Sequence, residues 1–354
     1  MRIRHISILA LCLLAVATAA CSQQGKNEPQ PGTVQITTAT PGPNPDAAPE
    51  PATAEPSLTT GGAFVFPQEG VRPIAVMIDN EGTRSLPQGG LDKAQIVYEV
   101  IVEGGLTRLM PVFWGTDPEM IGPVRSARDY FLDYMMEYDA VYVHVGGSPQ
   151  AVADIRKRKI NDIDGMHVGK EVIWDLTKER GNWQDSYTSM KALTDYISKV
   201  KYKTATEVKF PFAYNASDII PAAGEPANSI SLKYPSMATK YEYDGTTGTY
   251  KRFRYGKAHM ERVSGKQFEA KNIIIQFVPN YDIKGDQKGR QEMNTLGSGN
   301  GYFITGGKSI KLKWSKESRN SQTKYTDETG NQIKLNIGQT WIQIMPMHAK
   351  VTID

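Results

Sequence analysis

The stretch Ile96-Val97-Tyr98-Glu99-Val100-Ile101-Val102-Glu103 is a nearly continuous run of aliphatic and β-branched residues, and Gly104-Gly105 ends it. Such a run, closed by glycines, is typical of a strand inside a sheet. Comparable runs occur at 74–78, 109–114 and 140–145. Because continuous apolar runs indicate strands that are covered on both faces, these segments predict a buried sheet in the first half of the chain.

Helix signals alternate with these strands. Ser126 is a candidate N-cap for a helix that carries Phe131, Leu132, Met135 and Tyr138. Ser148-Pro149 predicts a second helix, because serine caps helix starts and proline fits the first turn. Apolar residues at helical spacing within 190–200 indicate a third helix. Residues 64–215 are therefore predicted to form an α/β domain.

The second half of the chain is richer in strand signals than in helix signals. A hairpin is predicted at 241–255, with its turn at Asp244-Gly245. Alternating or continuous apolar runs predict four further strands, at 273–278, 310–314, 333–337 and 341–345. The expected fold class is mixed α/β, or α+β, in which an N-terminal α/β domain (64–215) precedes a smaller, mainly β domain (216–354).

Residues 1–20 have the three parts of a signal peptide: a positive start with Arg2 and Arg4, an apolar run at 6–17, and small residues directly before Cys21. The apolar run is too short to span a bilayer, which needs about 20 residues. A cysteine at this point is typical of a lipobox, in which its thiol receives a diacylglyceryl group. The acyl chains of that group would anchor the protein to a membrane.

Two interpretations of the cleavage site stay open, because Thr18 stands where a lipobox has leucine. Lipid attachment to Cys21 is the expectation, and ordinary cleavage that leaves a free thiol is the alternative.

The segment 21–63 is rich in proline, alanine and threonine and has almost no large apolar residues. It is predicted to be a disordered tether. The expected location is the cell membrane, on its extracytoplasmic side.

The charge balance gives no sign of a nucleic-acid partner. The chain has 41 Lys+Arg against 38 Asp+Glu, and removal of the signal peptide takes away two cations, which leaves 39 against 38. Cys12 also leaves with the signal peptide, so no cysteine of the body is available for a disulfide. Neither the composition nor the motifs point to a cofactor.

Several stretches carry a resemblance to a known family. They include 72–80 and 97–108 and, most specifically, Ile121-Gly122-Pro123-Val124-Arg125-Ser126-Ala127-Arg128. In the second half, 256–259 and 340–346 match as well. The chain resembles the YerB family of bacterial lipoproteins, whose domain has no assigned function. The resemblance implies extracytoplasmic placement and two domains, and it supplies little chemistry.

The sequence departs from the family's pattern at one place. The family carries a His-Asn pair just before the Tyr-Thr that falls here at Tyr187-Thr188, whereas this chain has Gln184-Asp185. If a reaction of the family needs that histidine, the resemblance implies that this protein has lost the reaction or performs it differently.

Acidic residues form the best candidate for chemistry. In the predicted strand, Glu99 and Glu103 interrupt the same apolar face. Buried carboxylates are costly unless they are paired, and such positions tend to be functional. The two lie about 13 Å apart along a regular strand, whereas glycosidase pairs need about 5–9.5 Å. Asp79, at the end of a neighbouring strand, is therefore a better partner for one of them. Pairing with arginines for structural reasons is the alternative.

Basic residues lie near the same positions. Arg125 and Arg128 flank a predicted helix start, where cations oppose the helix dipole. An anionic ligand group would compensate for this, and a structural pair with Glu99, Glu103 or Asp129 would do so too. His144 precedes a glycine turn that could bind an anion, although a plain strand-to-helix turn is the commoner explanation.

Other residue types give weaker signals. His144, His167, His259 and His348 do not have the spacing of metal ligands, so no metal is expected. The tryptophans Trp114, Trp174 and Trp183 could stack on sugars, but core packing is the default role of each.

The leading hypothesis is a membrane-anchored envelope protein that acts on or near peptidoglycan, with glycan-strand cleavage as its reaction. Glu103 would be the general acid, and Asp79 or Glu99 would stabilise positive charge or activate water. Arg125 and Arg128 would hold substrate anions. This mechanism requires the acids to meet in one water-reachable cleft. The alternative is a non-enzymatic lipoprotein that binds an envelope enzyme or a cell-wall fragment, and it predicts a broad, shallow surface.

Overall fold

The structure is a computed structural model that describes residues 64–354, except Lys178 and Arg180. The predictions for the signal peptide, the lipid site at Cys21 and the tether lie outside the described residues. The described helices are α1 (Asp129–Met135), α2 (Pro149–Arg158) and α3 (Met190–Lys199), with single 3-10 turns at Leu91–Lys93, Glu103–Gly105 and Met136–Tyr138.

Short strands make up most of the remaining regular structure. Those of the first half are β1 (Ile74–Val76), β2 (Ile78–Asp79), β3 (Ile96–Ile101), β4 (Thr107–Phe113), β5 (Val141–His144), β6 (Asp162–Asp164), β7 (Trp174–Asp175), β8 (Ser186–Tyr187) and β9 (Ala213–Tyr214).

The second half contributes longer strands. They are β10 (Glu225–Pro226), β11 (Ser229–Tyr234), β12 (Met237–Asp244), β13 (Thr249–Arg254), β14 (Lys257–Ala258), β15 (Glu269–Ala270), β16 (Asn272–Val278), β17 (Asn280–Asp282), β18 (Gln291–Met293), β19 (Gly297–Thr305), β20 (Lys308–Lys316), β21 (Lys324–Asp327), β22 (Lys334–Leu335), β23 (Thr340–Pro346) and β24 (Lys350–Ile353).

Two sheets contain most of these strands, and three two-stranded sheets (β17-β18, β22-β9 and β7-β8) contain the others. The large sheet has 12 strands in the order β10-β20-β19-β16-β23-β3-β4-β1-β5-β6, with β2 paired to β4 and β21 paired to β20. The second sheet has six strands in the order β14-β13-β12-β11-β24, with β15 paired to β13. In the large sheet, β16, β23, β3, β1, β5 and β6 all run in the same direction.

The large sheet contains strands from both halves of the chain. β3 pairs in parallel with β23, so that Ile96 lies beside Thr340 and Glu99 lies beside Gln343. The described residues also belong to a single compact unit. The predicted boundary near residue 215 therefore does not separate two sheets.

The balance of elements differs from the predicted fold class. The fold is predominantly β, and the first half is not a balanced α/β domain. α2 confirms the helix predicted to start at Ser148-Pro149, and Ser148 caps it by accepting a hydrogen bond from the Ala151 amide. Ser189 caps α3 in the same way. Within the described residues, none of the helices is long and apolar enough to cross a membrane.

The helix predicted to start at Ser126 begins later. α1 starts at Asp129, and the side chain of Arg128 at its N-cap position makes no capping hydrogen bond. The residues before it are extended because the amide of Arg125 donates to the Met77 carbonyl, and the Arg125 carbonyl accepts from the amide of Val145. These contacts insert the segment beside two strands and leave Ser126 outside the helix.

Candidate functional site

The carboxyl ends of several parallel strands meet at one edge of the large sheet. In open sheets with parallel strands, ligands bind at this edge. β2 ends there at Asp79, and β5 and β6 end at His144 and Asp164. Glu103 follows the end of β3, and the extended segment brings Arg125 to the same edge. Asp79, Glu103, Arg125 and His144, all candidates from the sequence, therefore lie along one edge of the sheet.

Glu99 does not reach that edge, because it lies within β3 and is completely buried. Its Oε1 accepts hydrogen bonds from Asn80 Nδ2 at 3.1 Å and from Thr107 Oγ1 at 2.8 Å. Its Oε2 accepts from Arg252 Nη2 at 2.5 Å, across the interface between the two sheets. The second sheet covers this face, so the prediction that Glu99 lies in a water-reachable cleft is wrong.

Glu103 leaves the strand at a turn and is bound by two arginines. The predicted strand at 96–103 ends at Ile101, and Gly104 turns the chain with a positive φ of 67°. Arg128 Nε donates to Glu103 Oε2 at 2.8 Å, and Arg108 Nη2 donates to Oε1 at 3.2 Å. The two carboxylates of the predicted face therefore belong to different networks.

The arginines keep Glu103 ionised. Burial raises the pKa of Glu103, but the hydrogen bond from Arg128 and the charge of Arg108 together outweigh burial and lower the pKa to about 2. A general acid must hold its proton near the working pH. The geometry therefore does not fit the predicted role of Glu103 as a proton donor.

Asp79 is almost fully buried and is held by three contacts. Its Oδ2 lies 3.1 Å from Arg125 Nε and accepts from Gln184 Nε2 at 3.1 Å. Its Oδ1 accepts from the amide of Glu81 at 2.8 Å. Gln184 also donates to the carbonyl of Glu81 at 2.9 Å. The sequence position that departs from the family pattern is therefore in direct contact with Asp79.

Arg125 is anchored but incompletely hydrogen-bonded. Its Nε is buried beside Asp79, yet no acceptor is in line with its N–H. Its Nη1 reaches Ser126 Oγ only at 3.4 Å, and its Nη2 lies 3.9 Å from Glu81 Oε2. The side chain is 19% exposed. Because buried donors in folded proteins are nearly always satisfied, these nitrogens are the clearest open donors at the edge.

The other two predicted binding residues are committed to structural contacts. Arg128 is buried and bonds Glu103 and the carbonyl of Ala127. The ring of His144 is also buried, with Nδ1 2.8 Å from the Gly146 carbonyl and Nε2 3.2 Å from an oxygen of Asp162. Neither side chain presents a donor to solvent, so of the three predicted binding residues only Arg125 fits that role.

The predicted acids do not form a cleft. Asp79, Glu99 and Glu103 have separate sets of hydrogen-bonding partners among the described residues. Four grooves elsewhere on the described residues, with volumes from about 280 to about 1080 Å³, are lined by other side chains than these acids and Arg125. The candidate site is therefore restricted to the surroundings of Arg125 at the edge of the large sheet.

Two exposed residues, Glu81 in contact with Arg125 and Trp183 next to Gln184 in the sequence, were not selected as site residues from the sequence. Glu81 has a side chain that is 44% exposed, and it lies next to Arg125. Trp183 is 58% exposed and directly precedes Gln184, whereas core packing was its default role. Its place in the polar stretch Gly181-Asn182-Trp183-Gln184 is a signal that could have indicated exposure. Among the described residues, no group of three or more metal-ligating side chains is close enough to hold an ion.

Fold and site together define a class: a two-sheet, β-rich protein with an arginine–carboxylate cluster at the edge of its large sheet. The chain belongs to the family described as "Protein of unknown function (DUF3048)". The model of its N-terminal domain matches residues 60–203, and the model of its C-terminal domain matches residues 230–342. The resemblance seen in the sequence is thereby confirmed.

Two further comparisons agree with the family assignment. The chain is 32% identical over 285 residues to the Bacillus subtilis (strain 168) protein named "Putative lipoprotein YerB", with 78% of this chain and 81% of that protein covered. It also matches the crystal structure of the YerB protein from Bacillus subtilis with a TM-score of 0.70 and 27% identity, covering 80% of this chain and 94% of the other.

Proposed function

We propose that this protein is a lipid-anchored, extracytoplasmic binding protein that holds a polar fragment of the cell wall, or the wall-bound face of an envelope enzyme, through Arg125. The observation that carries this proposal is that the guanidinium of Arg125 has N–H donors available to a ligand. Its position is fixed by Asp79, while its terminal nitrogens make only long contacts with the described residues, at 3.4 Å to Ser126 Oγ and 3.9 Å to Glu81 Oε2. The planar fork of an arginine suits a carboxylate or a phosphate.

An exposed aromatic ring supports the same proposal. Trp183 is adjacent to Gln184, which shares the Oδ2 atom of Asp79 with Arg125. A tryptophan in such a place offers a large apolar face to a sugar ring or a peptide side chain. A ligand with both an anionic group and an apolar face, as in a muramyl peptide, would use both residues.

Glycan cleavage is the less favoured form of the hypothesis. It needs a protonated acid and a second carboxylate about 5–9.5 Å away with access to water. Glu103 is ionised because its pKa is about 2, and Glu99 is buried beneath the second sheet. Asp79 is already neutralised by Arg125. Binding without turnover agrees better with these contacts.

The proposed location rests on the N-terminal sequence and on the relative. Residues 1–21 have the order of a lipoprotein signal peptide, and the related Bacillus protein is named as a putative lipoprotein. A diacylglyceryl anchor on Cys21, followed by the proline-rich segment, would allow the folded body to reach the wall.

A binding experiment tests the proposal. Soluble fragments from a muramidase digest of peptidoglycan are titrated against the full-length protein in detergent, and the retained fragments are identified by mass spectrometry. We expect Arg125→Gln to weaken retention about ten- to a hundredfold, since hydrogen bonds to a charged group contribute about 1.5–3 kcal/mol. Arg158→Gln, on the exposed end of α2, is the matched control and should bind as wild type does.

The same samples test for turnover. We expect wild-type protein to leave the mass spectrum of intact glycan strands unchanged. New cleavage products that vanish in Glu103→Gln would establish an enzyme instead. Equal retention of fragments by wild type and Arg125→Gln would remove Arg125 from the site and defeat the proposal.

A further inference from the structure

We infer that the ligand group received at Arg125 is zwitterionic: its carboxylate binds Arg125 and an adjacent ammonium group binds Glu81. This inference rests on the proposed function and narrows its ligand class. It follows from the charge balance of the edge, from the exposure of Glu81, and from the distance between the two side chains.

The charges around Arg125 cancel. Asp79 pairs with Arg125, and Glu103 pairs with both Arg108 and Arg128. Glu81 is the remaining carboxylate in contact with this group, at 3.9 Å from Arg125. Among the described residues that form these contacts, three cations therefore face three carboxylates. A surface without net charge does not concentrate a purely anionic ligand, because attraction at long range follows the summed charge.

Glu81 has a fixed backbone, and its carboxylate accepts no hydrogen bond from the described residues. Its amide donates to Asp79 Oδ1 at 2.8 Å, and its carbonyl accepts from Gln184 at 2.9 Å. The nearest cation to its carboxylate among the described residues is Arg125, at 3.9 Å, which is longer than a hydrogen bond. The carboxylate is thus held near Arg125 without being used by it.

A ligand that contacts both side chains must carry two opposite charges on neighbouring atoms. The free α-amino acid centre of a diamino acid in a cell-wall peptide has this arrangement, because its ammonium and carboxylate groups share one carbon. Each would form charge-assisted hydrogen bonds, the carboxylate with the open nitrogens of Arg125 and the ammonium with Glu81. A simple anion such as phosphate would satisfy Arg125 but would be repelled by Glu81.

Two matched peptides test this inference. The first is the N-terminally acetylated tripeptide alanyl-γ-glutamyl-diaminopimelate, whose last residue keeps a free α-amino acid centre. The second is the same tripeptide with that remaining amine acetylated. Calorimetric titration of the full-length protein in detergent should show binding about tenfold weaker for the second peptide, since one charge-assisted hydrogen bond is lost.

Variants separate this inference from the proposed function. Glu81→Gln should bind the two peptides equally, whereas Glu328→Gln, an exposed control elsewhere on the surface, should keep the tenfold difference. Arg125→Gln should weaken binding of both peptides. Equal affinity of wild type for the two peptides, or no binding of either, overturns the zwitterion inference. Arg125→Gln that still binds like wild type overturns the proposed function itself.

Discussion

Arg252 donates from Nη2 to Oε2 of Glu99 at 2.5 Å, and neither side chain has any exposed surface. Glu99 belongs to β3 of the large sheet and Arg252 to β13 of the second sheet. The Arg252 guanidinium also lies 4.4 Å from the ring centroid of Trp341. The interface between the sheets therefore contains a buried ion pair that packs against an aromatic ring. This ion pair connects the two halves of the chain.

Glu99→Gln should destabilise the protein strongly. It leaves the positive charge of Arg252 buried without its counter-charge, and loss of one partner of a buried pair costs about 3–5 kcal/mol. Urea unfolding measures this change. Lys191→Gln, which removes a fully exposed pair with Asp195, is the control and should have little effect. Similar midpoints for the two variants would contradict a central role for the buried pair.

His259 should make stability depend on pH. Burial lowers the pKa of His259 well below its usual value of 6.5, and the charges of Arg252 and Arg254 lower it further. Its Nδ1 faces Arg252 and its Nε2 faces Gln88, so the neutral ring is the form that these contacts require. The unfolded chain binds this proton more readily, so stability is complete above pH 6.5 and falls as the pH drops below it.

Urea midpoints at pH 7.5 and pH 5.5 measure the effect of His259. Wild type should lose more stability between these two conditions than His259→Gln, which has no proton to gain at that position. Equal losses in the two proteins would show that another group controls the acid response.

Glu103→Gln should affect acid stability rather than any turnover. The pKa of Glu103 falls from 4.5 to about 2 in the folded protein. The stability that it contributes is therefore present above about pH 4.5 and is lost as the pH falls towards 2. The variant should be less stable than wild type at pH 7, and the difference should shrink between pH 4.5 and pH 2. A constant difference in stability between the variant and wild type over that pH interval would argue against the arginine contacts.

Trp183→Ala should weaken binding of cell-wall fragments while leaving the fold intact. An aromatic contact contributes about 0.5–1.5 kcal/mol beyond its buried area, and the exposed ring makes few contacts that the fold needs. Titration with the muramidase digest measures the change. Tyr281→Ala removes a comparably exposed ring elsewhere and should bind normally. Identical affinities would exclude Trp183 from the binding surface.

Cys21→Ser should release the protein from the membrane. Two acyl chains give stable attachment, whereas a hydroxyl in place of the thiol receives none. Fractionation of cells that express each form measures the distribution. Cys12→Ser is the matched control, because Cys12 lies in the apolar run before the cleavage site. Membrane-bound Cys21→Ser protein would point to a different anchor.

Local patterns predicted individual elements better than they predicted the layers. The start of α2 and the cap at Ser148 follow from contacts within a few residues, and the structure has both. The predicted start of α1 was wrong because β-type hydrogen bonds to Met77 and Val145 hold the preceding segment extended. These partners are distant in the sequence, so no local pattern reveals them. The β content of the fold also depends on distant partners, because β3 pairs with β23 from the far end of the chain.

By itself the sequence determined the family, the main strands, and the set of charged residues that gather at one edge of the large sheet. Only the tertiary structure decided what each of them does. Glu99 is paired with an arginine 153 residues away, Glu103 is bound by Arg128, and Arg125 keeps a donor that no described residue accepts. The physical reason is that strand periodicity fixes which face a side chain takes, whereas its partner is set by the distant segment that packs there.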